Sequence, residues 1–223
     1  MAEERLDPWA DDINKVERIL HLQRYEYAMK EVKEMVLDIG CGLGYGSKML
    51  HAASNLVVAC DISGNALTYA RTNYYEPIYV KTDVQTLPFK NAGFDSVVAL
   101  EIIEHVENAI QLLREINRVL KNEGILVLST PNIAHLGNRL RGLFGIDSIK
   151  KPENPYHKHE YTYEGIAELL ESTGFAVEDK WGQILTFPFV NLLPPHLCVN
   201  TGRKSPCWSY YIIYKVRKKA VAI

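Results

Sequence analysis

Three observations predict a doubly wound α/β fold of three layers. Short apolar runs alternate with helix-period segments five times over about a hundred residues, 35 to 130. Those runs are continuously apolar, which marks strands of a parallel sheet covered on both faces. The last third then carries two strand-like runs with no helix between them, most simply placed as an antiparallel pair. The expected sheet is mostly parallel and seven-stranded, with an antiparallel C-terminal strand. Right-handed crossovers would place ligands at the strands' carboxyl ends.

Each element follows from its local pattern. Asp11 and Asp12 are placed to cap a first helix over about 12–34, where Ile13, Val16 and Leu20 recur at helical spacing, with Tyr27 two turns on. MVLDIG (35–40) is a buried strand and GYGSKMLHAA (44–53) a helix. NLVVACD (55–61) is the second strand, and Ser63 caps a helix to about Tyr75. PIYVKTD (77–83) and, after a turn at Leu87-Pro88, FDSVVAL (94–100) are the third and fourth strands. Ala109, Ile110, Leu113, Ile116 and Leu120 form a helical stripe that Lys121–Gly124 ends, before the strand ILVLST (125–130). Thr162 starts a helix that Gly174 stops, and FAVEDKW (175–181) and WSYYIIYKV (208–216) complete the sheet.

Composition narrows the class. The 223 residues are 47% hydrophobic and 23% charged, which excludes disordered and low-complexity chains. With no repeat and no Gly/Ser linker, residues 1–223 read as a single domain. No apolar run approaches the roughly 18 residues of a spanning helix, and no secretory h-region is visible. Cys41, Cys60, Cys198 and Cys207 lack C-x-x-C spacing, so free thiols in the cytoplasm are expected. A net charge of −2 speaks against a nucleic-acid or anionic-membrane partner. The cluster Lys215, Arg217, Lys218 and Lys219 reads as a solvated tail.

The chemistry concentrates in VLDIGCGLGYGS (36–47), whose glycines 40, 42, 44 and 46 follow a strand and open a helix. Glycines there let the backbone turn sharply and approach a nucleotide-like ligand. Asp61 ends the second strand, 21 residues after Gly40, where a carboxylate can accept ribose hydroxyl protons. A dinucleotide fingerprint would put its third glycine at Tyr45 or Ser47, so a dehydrogenase ranks last. Asp38 at the strand end suits a cationic group better than a pyrophosphate. S-adenosylmethionine has an ammonium, a sulfonium and a ribose, and no phosphate.

These motifs resemble those of the class I S-adenosylmethionine-dependent methyltransferases, of the methyltransferase-11/23 kind. VLDIGCGLGYGS is similar to the family's first motif, VVACDIS (57–63) to its second, KTDVQTLPF (81–89) to its third and FDSVVALEIIEHV (94–106) to its fourth. LREINRVLKNEGILVLSTPN (113–132) resembles the segment that closes the core, and ENPYHKHEYTYEGIAELLESTGF (153–175) a further family feature. The resemblance implies a Rossmann-like methyltransferase fold, with a donor-binding core over about 35–131. It implies S-adenosylmethionine as cofactor, S-adenosylhomocysteine as product, and a small-molecule acceptor such as a sugar, lipid or natural-product precursor. By the same resemblance Gly40, Cys41 and Gly42 line the methionine part, with Asp38 near the ammonium. Asp61 holds the ribose and Ile62 lies against the adenine. Asp83 faces the adenine amino group with Val84 beside it, and Leu100 and Glu101 close the site. Arg24 would reach the methionine carboxylate, or else be a surface cation on an amphipathic helix.

Methyl transfer needs the acceptor aligned at about 3 Å, and an oxygen acceptor needs its proton removed. His105, just after the fourth strand, is the candidate base. Glu101, Glu104 and His105 form E-x-x-E-H, and with His157 or His159 they offer ligands for a divalent ion. That pattern is similar to metal-dependent small-RNA 3′-end 2′-O-methyltransferases and to ubiquinone-pathway O-methyltransferases. NPYHKHEYT does not cleanly match the RNA enzymes' second histidine motif, and no residue is assigned to a metal. The alternative for Glu104 is a solvent-facing side chain. The fourth strand ends LEIIE, without the Asn/Asp-Pro-Pro-aromatic motif of amino-group methylation.

Segments 132–160 and 182–206 are expected to roof the acceptor pocket. Phe187, Phe189, Leu192 and Leu193 would be exposed there, suiting a homodimer contact or a lipid-like acceptor. Tyr156, Tyr161 and Tyr163 are expected to pack rather than stack on substrate. The leading expectation is methyl transfer to an oxygen of a small molecule. The alternatives are metal-assisted RNA 2′-O-methylation and a catalytically silent S-adenosylmethionine-binding module.

Overall fold

A computed structural model describes residues 7–10, 13–143, 157–186 and 190–220. Helix α1 (Lys15–Glu31) is followed by β1 (Met35–Ile39), α2 (Tyr45–His51), β2 (Leu56–Asp61), α3 (Gly64–Asn73) and β3 (Ile78–Lys81). Then come β4 (Phe94–Leu100), α4 (Ala109–Val119), β5 (Leu120–Pro131) and α5 (Leu136–Leu143). α6 (Tyr163–Ser172), β6 (Phe175–Leu185), α7 (Pro195–Asn200) and β7 (Ser209–Lys218) complete the order.

The strands form one sheet in the order β3-β2-β1-β4-β5-β7-β6. β1 to β5 pair in parallel. β7 lies antiparallel to both β5 and β6, so it alone opposes the others, as the two consecutive C-terminal strands predict. Strand order reverses between β1 and β4, which opens a crevice at their carboxyl ends. The glycine loop leaves β1 there, and residues 101–105 leave β4.

The period of two within each strand explains the layers. Leu37 and Ile39 of β1, with Leu126 and Leu128 of β5, pack in a core shared with Leu112, Leu113 and Ile116 of α4 and Ile166 and Leu170 of α6. Val36, Ile125 and Val127 point the other way, toward Tyr25 and Ala28 of α1 and Leu50 of α2. Both faces are covered, which is why the strands read as unbroken apolar runs.

Local signals largely place the helix starts. Ser63 Oγ accepts from the Ala66 N–H, Asn108 Oδ1 from Gln111 and Thr162 Oγ1 from Gly165. Gly174 ends α6 with φ +90°, where a side chain would be strained. The first helix differs from expectation. It begins at Lys15 because Asn14 Oδ1 takes the Val16 N–H; Asp11 and Asp12 lie outside the described residues. β5 also begins earlier than expected, at Leu120, because Leu120 pairs with Phe94 of β4; the register shifts before Ser96 pairs with Ile125, and Lys121 Nζ lies 2.8 Å from both Asp95 oxygens.

The segment 182–206 is not one long loop. β6 continues to Leu185, paired with Ser209 of β7, and α7 buries Cys198 and Val199 on the side of α1. Leu192 is 79% exposed, while Leu193 is half-buried. Phe187, Phe189 and Tyr156 lie outside the described residues. Among the described residues no helix is long and apolar enough to cross a membrane.

Candidate active site

The loop after β1 is shaped by its glycines and tied by its backbone N–H groups to the end of β2. Gly40, Gly42 and Gly44 have φ of +69°, +53° and +85°. A Cβ at Gly40 would stand 2.8 Å from Ile102 Cδ1, and one at Gly44 2.6 Å from Ala70 Cβ. The Gly40 and Cys41 N–H groups both donate to the Cys60 carbonyl, at 2.8 and 3.0 Å, and Gly42 N–H donates to Asp61 Oδ2 at 3.0 Å. These three donors are engaged within the protein, so they do not form the anion nest that a pyrophosphate site requires. Asp61 Oδ1 also accepts from Ser63 N–H at 2.8 Å, which fixes the carboxylate plane at the end of β2.

Asp38 stands one residue before the end of β1, beneath this loop, with 1% exposure. Its Oδ2 accepts from Ser47 Oγ at 2.6 Å, and its Oδ1 has no hydrogen-bond partner. Burial pushes the carboxyl up to about 7; the Ser47 bond opposes the rise, the Asp61 charge adds to it and the Tyr25 hydroxyl works against it. An ionised carboxylate in this position calls for a cation.

Arg24 is not a surface cation. Position 24 faces the sheet, and the residue is 2% exposed. Nε donates to Gln183 Oε1 at 3.1 Å, Nη2 stands 3.7 Å from Glu101 Oε2, and the guanidinium lies 4.2 Å from the Tyr211 ring centroid. Burial opposes its charge, but Glu101 and the neighbouring tyrosines outweigh this and raise its pKa. Glu101 holds φ +53°, a strained value for a residue with a side chain. Ser129 secures it: Oγ donates to Glu101 Oε1 at 2.7 Å, and the Glu101 N–H points back at Ser129.

Successive residues of a strand face opposite ways, so Thr130 points from β5 to the other side of the sheet. There Thr130 Oγ1 donates to Glu104 Oε2 at 3.1 Å. Glu104 is 1% exposed rather than solvent-facing, and its Oε1 has no hydrogen-bond partner. Burial first, then the Glu101 charge, push its carboxyl well above the usual range. A small hollow lies beside it, with Asn132, His135, His157, Tyr161 and Tyr210 in its wall. Asn132 joins these segments: Nδ2 donates to the Cys207 and Ser209 carbonyls, and Oδ1 accepts from Ala134 and Tyr163 N–H groups.

The remaining predicted residues lie at or just after the ends of β2, β3 and β4. Ile62 is 64% exposed beside Asp61. Asp83 is exposed and accepts the Gln85 N–H at 2.8 Å, shaping the turn after β3, while Val84 is buried. Leu100 is half-buried at the end of β4. The His105 ring lies edge-on to His157, centroids 5.0 Å apart. Gln183, Tyr211, Ser47 and Thr130 were not foreseen. The polar pair Ser129-Thr130 ending an apolar strand carried a readable signal; Gln183 and Tyr211 carried none.

A doubly wound sheet with a glycine loop at its switch point and buried acids at the ends of β1 and β2 defines a donor-binding architecture of the S-adenosylmethionine class. Comparison with known proteins agrees. A family model described as "Methyltransferase domain" matches residues 37–128. A "Ubiquinone biosynthesis O-methyltransferase" of Rickettsia canadensis is 30% identical over 176 residues, covering 72% of this chain and 74% of that protein. The "Probable S-adenosylmethionine-dependent methyltransferase MT3114" of Mycobacterium tuberculosis is 33% identical over 140 residues, 63% of this chain and 48% of the relative. The chain spans about half the length of the first curated relatives it matches. Magnesium protoporphyrin IX methyltransferase from Synechocystis PCC 6803, solved with bound SAH, aligns with TM-score 0.67 at 19% identity over 95% of this chain and 91% of that one. The [4+2]-cyclase SpnF aligns equally well, TM-score 0.67 at 17% identity over 97% and 86%, so likeness at this level speaks for the fold alone. The chain belongs to the class I S-adenosylmethionine-dependent methyltransferase family.

Proposed function

We propose that the protein transfers the methyl group of S-adenosylmethionine to an oxygen of a small molecule held in the hollow beside Glu104. The observation that carries this reading is Asp38. It is a buried carboxylate with one unpartnered oxygen, set under a glycine loop whose first N–H donors are already engaged. Such a site fits an ammonium-bearing nucleoside and not a phosphate. When bound, S-adenosylmethionine supplies a methyl group on a good leaving group.

The chain's own residues supply position and proton handling. In this reading Asp38 pairs with the ammonium and the backbone of Gly40, Cys41 and Gly42 lines the methionine part. Asp61 accepts from the ribose hydroxyls. Ile62 and Val84 flank the adenine, Asp83 takes its amino group, and Leu100 and Glu101 close the site. Arg24, held by Gln183 and Glu101, presents remaining N–H groups to a carboxylate. His105 takes the acceptor proton as the methyl group arrives. Acceptance at oxygen is supported by the ubiquinone-pathway relative, which is named an O-methyltransferase. A cytoplasmic location fits the four free thiols.

Calorimetric titration with S-adenosylhomocysteine tests the donor site. One equivalent bound at micromolar strength is expected, and no binding by the folded chain would overturn the reading.

A further inference from the structure

We propose that Glu104, His105 and His157 form a binding site for one divalent transition-metal ion at the inner wall of the hollow. One ligand atom from each lies within 4.8 Å of the others. The three come from two places in the chain: residues 104 and 105 follow β4, and 157 precedes α6. Glu104 N-terminal to His105 would mean little alone. Burial and an unpartnered oxygen make the difference, because a 1% exposed carboxylate has one oxygen on Thr130 and nothing on the other. Thr130 thereby fixes the carboxylate as an outer hydrogen bond fixes a metal ligand.

The backbone holds the second segment in place. The Glu104 carbonyl accepts from the Lys158 N–H at 2.8 Å and from the His159 N–H at 3.2 Å, which clamps residues 157–159 against the ligand pair. The same geometry selects among the candidate ligands. Glu101 turns to Ser129 and Arg24, and His159 Nε2 lies 3.1 Å from the Glu107 carbonyl. Ligand atoms sharing an ion at about 2.0–2.2 Å stand roughly 3.0–3.5 Å apart, so closure asks for shifts of about 1 Å, within reach of side-chain rotation.

Two imidazoles and one carboxylate suit Zn²⁺, Mn²⁺, Fe²⁺ or Co²⁺ better than Mg²⁺ or Ca²⁺. Three protein ligands leave positions open, and the adjoining space is the hollow. An acceptor oxygen bound there would lose its proton more readily, and His105, with its ring nitrogen on the ion, would then hold the metal rather than take the proton itself. Metal binding stands independently of the methyl-transfer reading; only the ion's use on an acceptor rests on it.

The test is titration of the tag-free, metal-stripped chain with Zn²⁺ against a chromophoric chelator, with Co²⁺ visible absorption as a second readout. Neither needs a methyl donor, so a failed donor titration and a failed metal titration are separate results. The expected outcome is one Zn²⁺ per chain, weakened at least tenfold in both Glu104→Gln and His157→Ala, with S-adenosylhomocysteine affinity retained in His157→Ala. His157 is half-buried at a loop, so H157A decides the matter if E104Q fails to fold. No stoichiometric metal in the folded wild-type chain overturns the proposal. So does an affinity that H157A leaves unchanged, since the ion would then sit elsewhere.

Discussion

The glycine loop and the hollow share one edge of the sheet, but they are assembled from opposite materials. The loop is a contiguous stretch, residues 38 to 47, held mainly by its own backbone bonds and the end of β2. The hollow is put together from residues 104, 130–135, 157–161 and 210, drawn from four separate parts of the chain. The difference teaches that the two regions should fail differently. Damage to the loop should reach both fold and donor binding. Damage to the hollow should reach only the acceptor step.

The largest effect is expected from Gly46→Val. A Cβ there would lie 1.9 Å from the Tyr25 ring, and the contact between α1 and α2 has no room to give. Overpacking of this kind costs about 3 kcal/mol or more. A drop of roughly 6–12 °C in Tm, or insoluble protein, is the expected result. A Tm within a degree of wild type would break the view that the loop and the fold are one unit.

Asp61→Asn comes next. The amide loses charge and can accept at only one of its two positions, leaving the Gly42 or Ser63 N–H poorly served. S-adenosylhomocysteine affinity should fall about 10- to 100-fold by calorimetry. The third expectation is a pH dependence from Asp38. Its folded value of about 7 lies above the ordinary 3.8, so the folded chain binds the extra proton between those values. Ligand-free stability from this group is therefore greatest below about 4 and is lost as pH rises through about 7. Donor affinity runs the other way, since the ammonium needs the ionised form. It should weaken below pH 7, by at most about tenfold per unit, and Asp38→Asn should flatten both trends.

The smallest effect sharpens the contrast from the hollow side. Thr130→Val removes the hydroxyl on Glu104 Oε2. Acceptor kcat/KM should fall about tenfold, with S-adenosylhomocysteine affinity unchanged. A matching loss in donor affinity would mean that the two regions are coupled through β5.

Legibility followed the same division. β4 runs over the residues its apolar stretch predicts, and Ser63 and Thr162 cap the helices assigned to them. Each is a short-range rule acting on neighbours in the chain. α7 and the extension of β6 were not foreseen, because 182–206 has no helical period and its pairing depends on β7. Arg24 illustrates the limit most clearly. Its position on α1 allowed either a solvent-facing cation or a ligand, and the choice was made by Gln183, 159 residues away.

The sequence by itself determined the layered fold, the loop and the acids at its ends, because periodicity, capping and glycine conformation operate within a few residues. Only the tertiary structure decided that Ser129 and Thr130 separate Glu101 from Glu104 and that His157 comes to His105. Burial and side-chain pairing depend on which distant segments share a sheet edge, and that is settled by packing rather than by any local pattern.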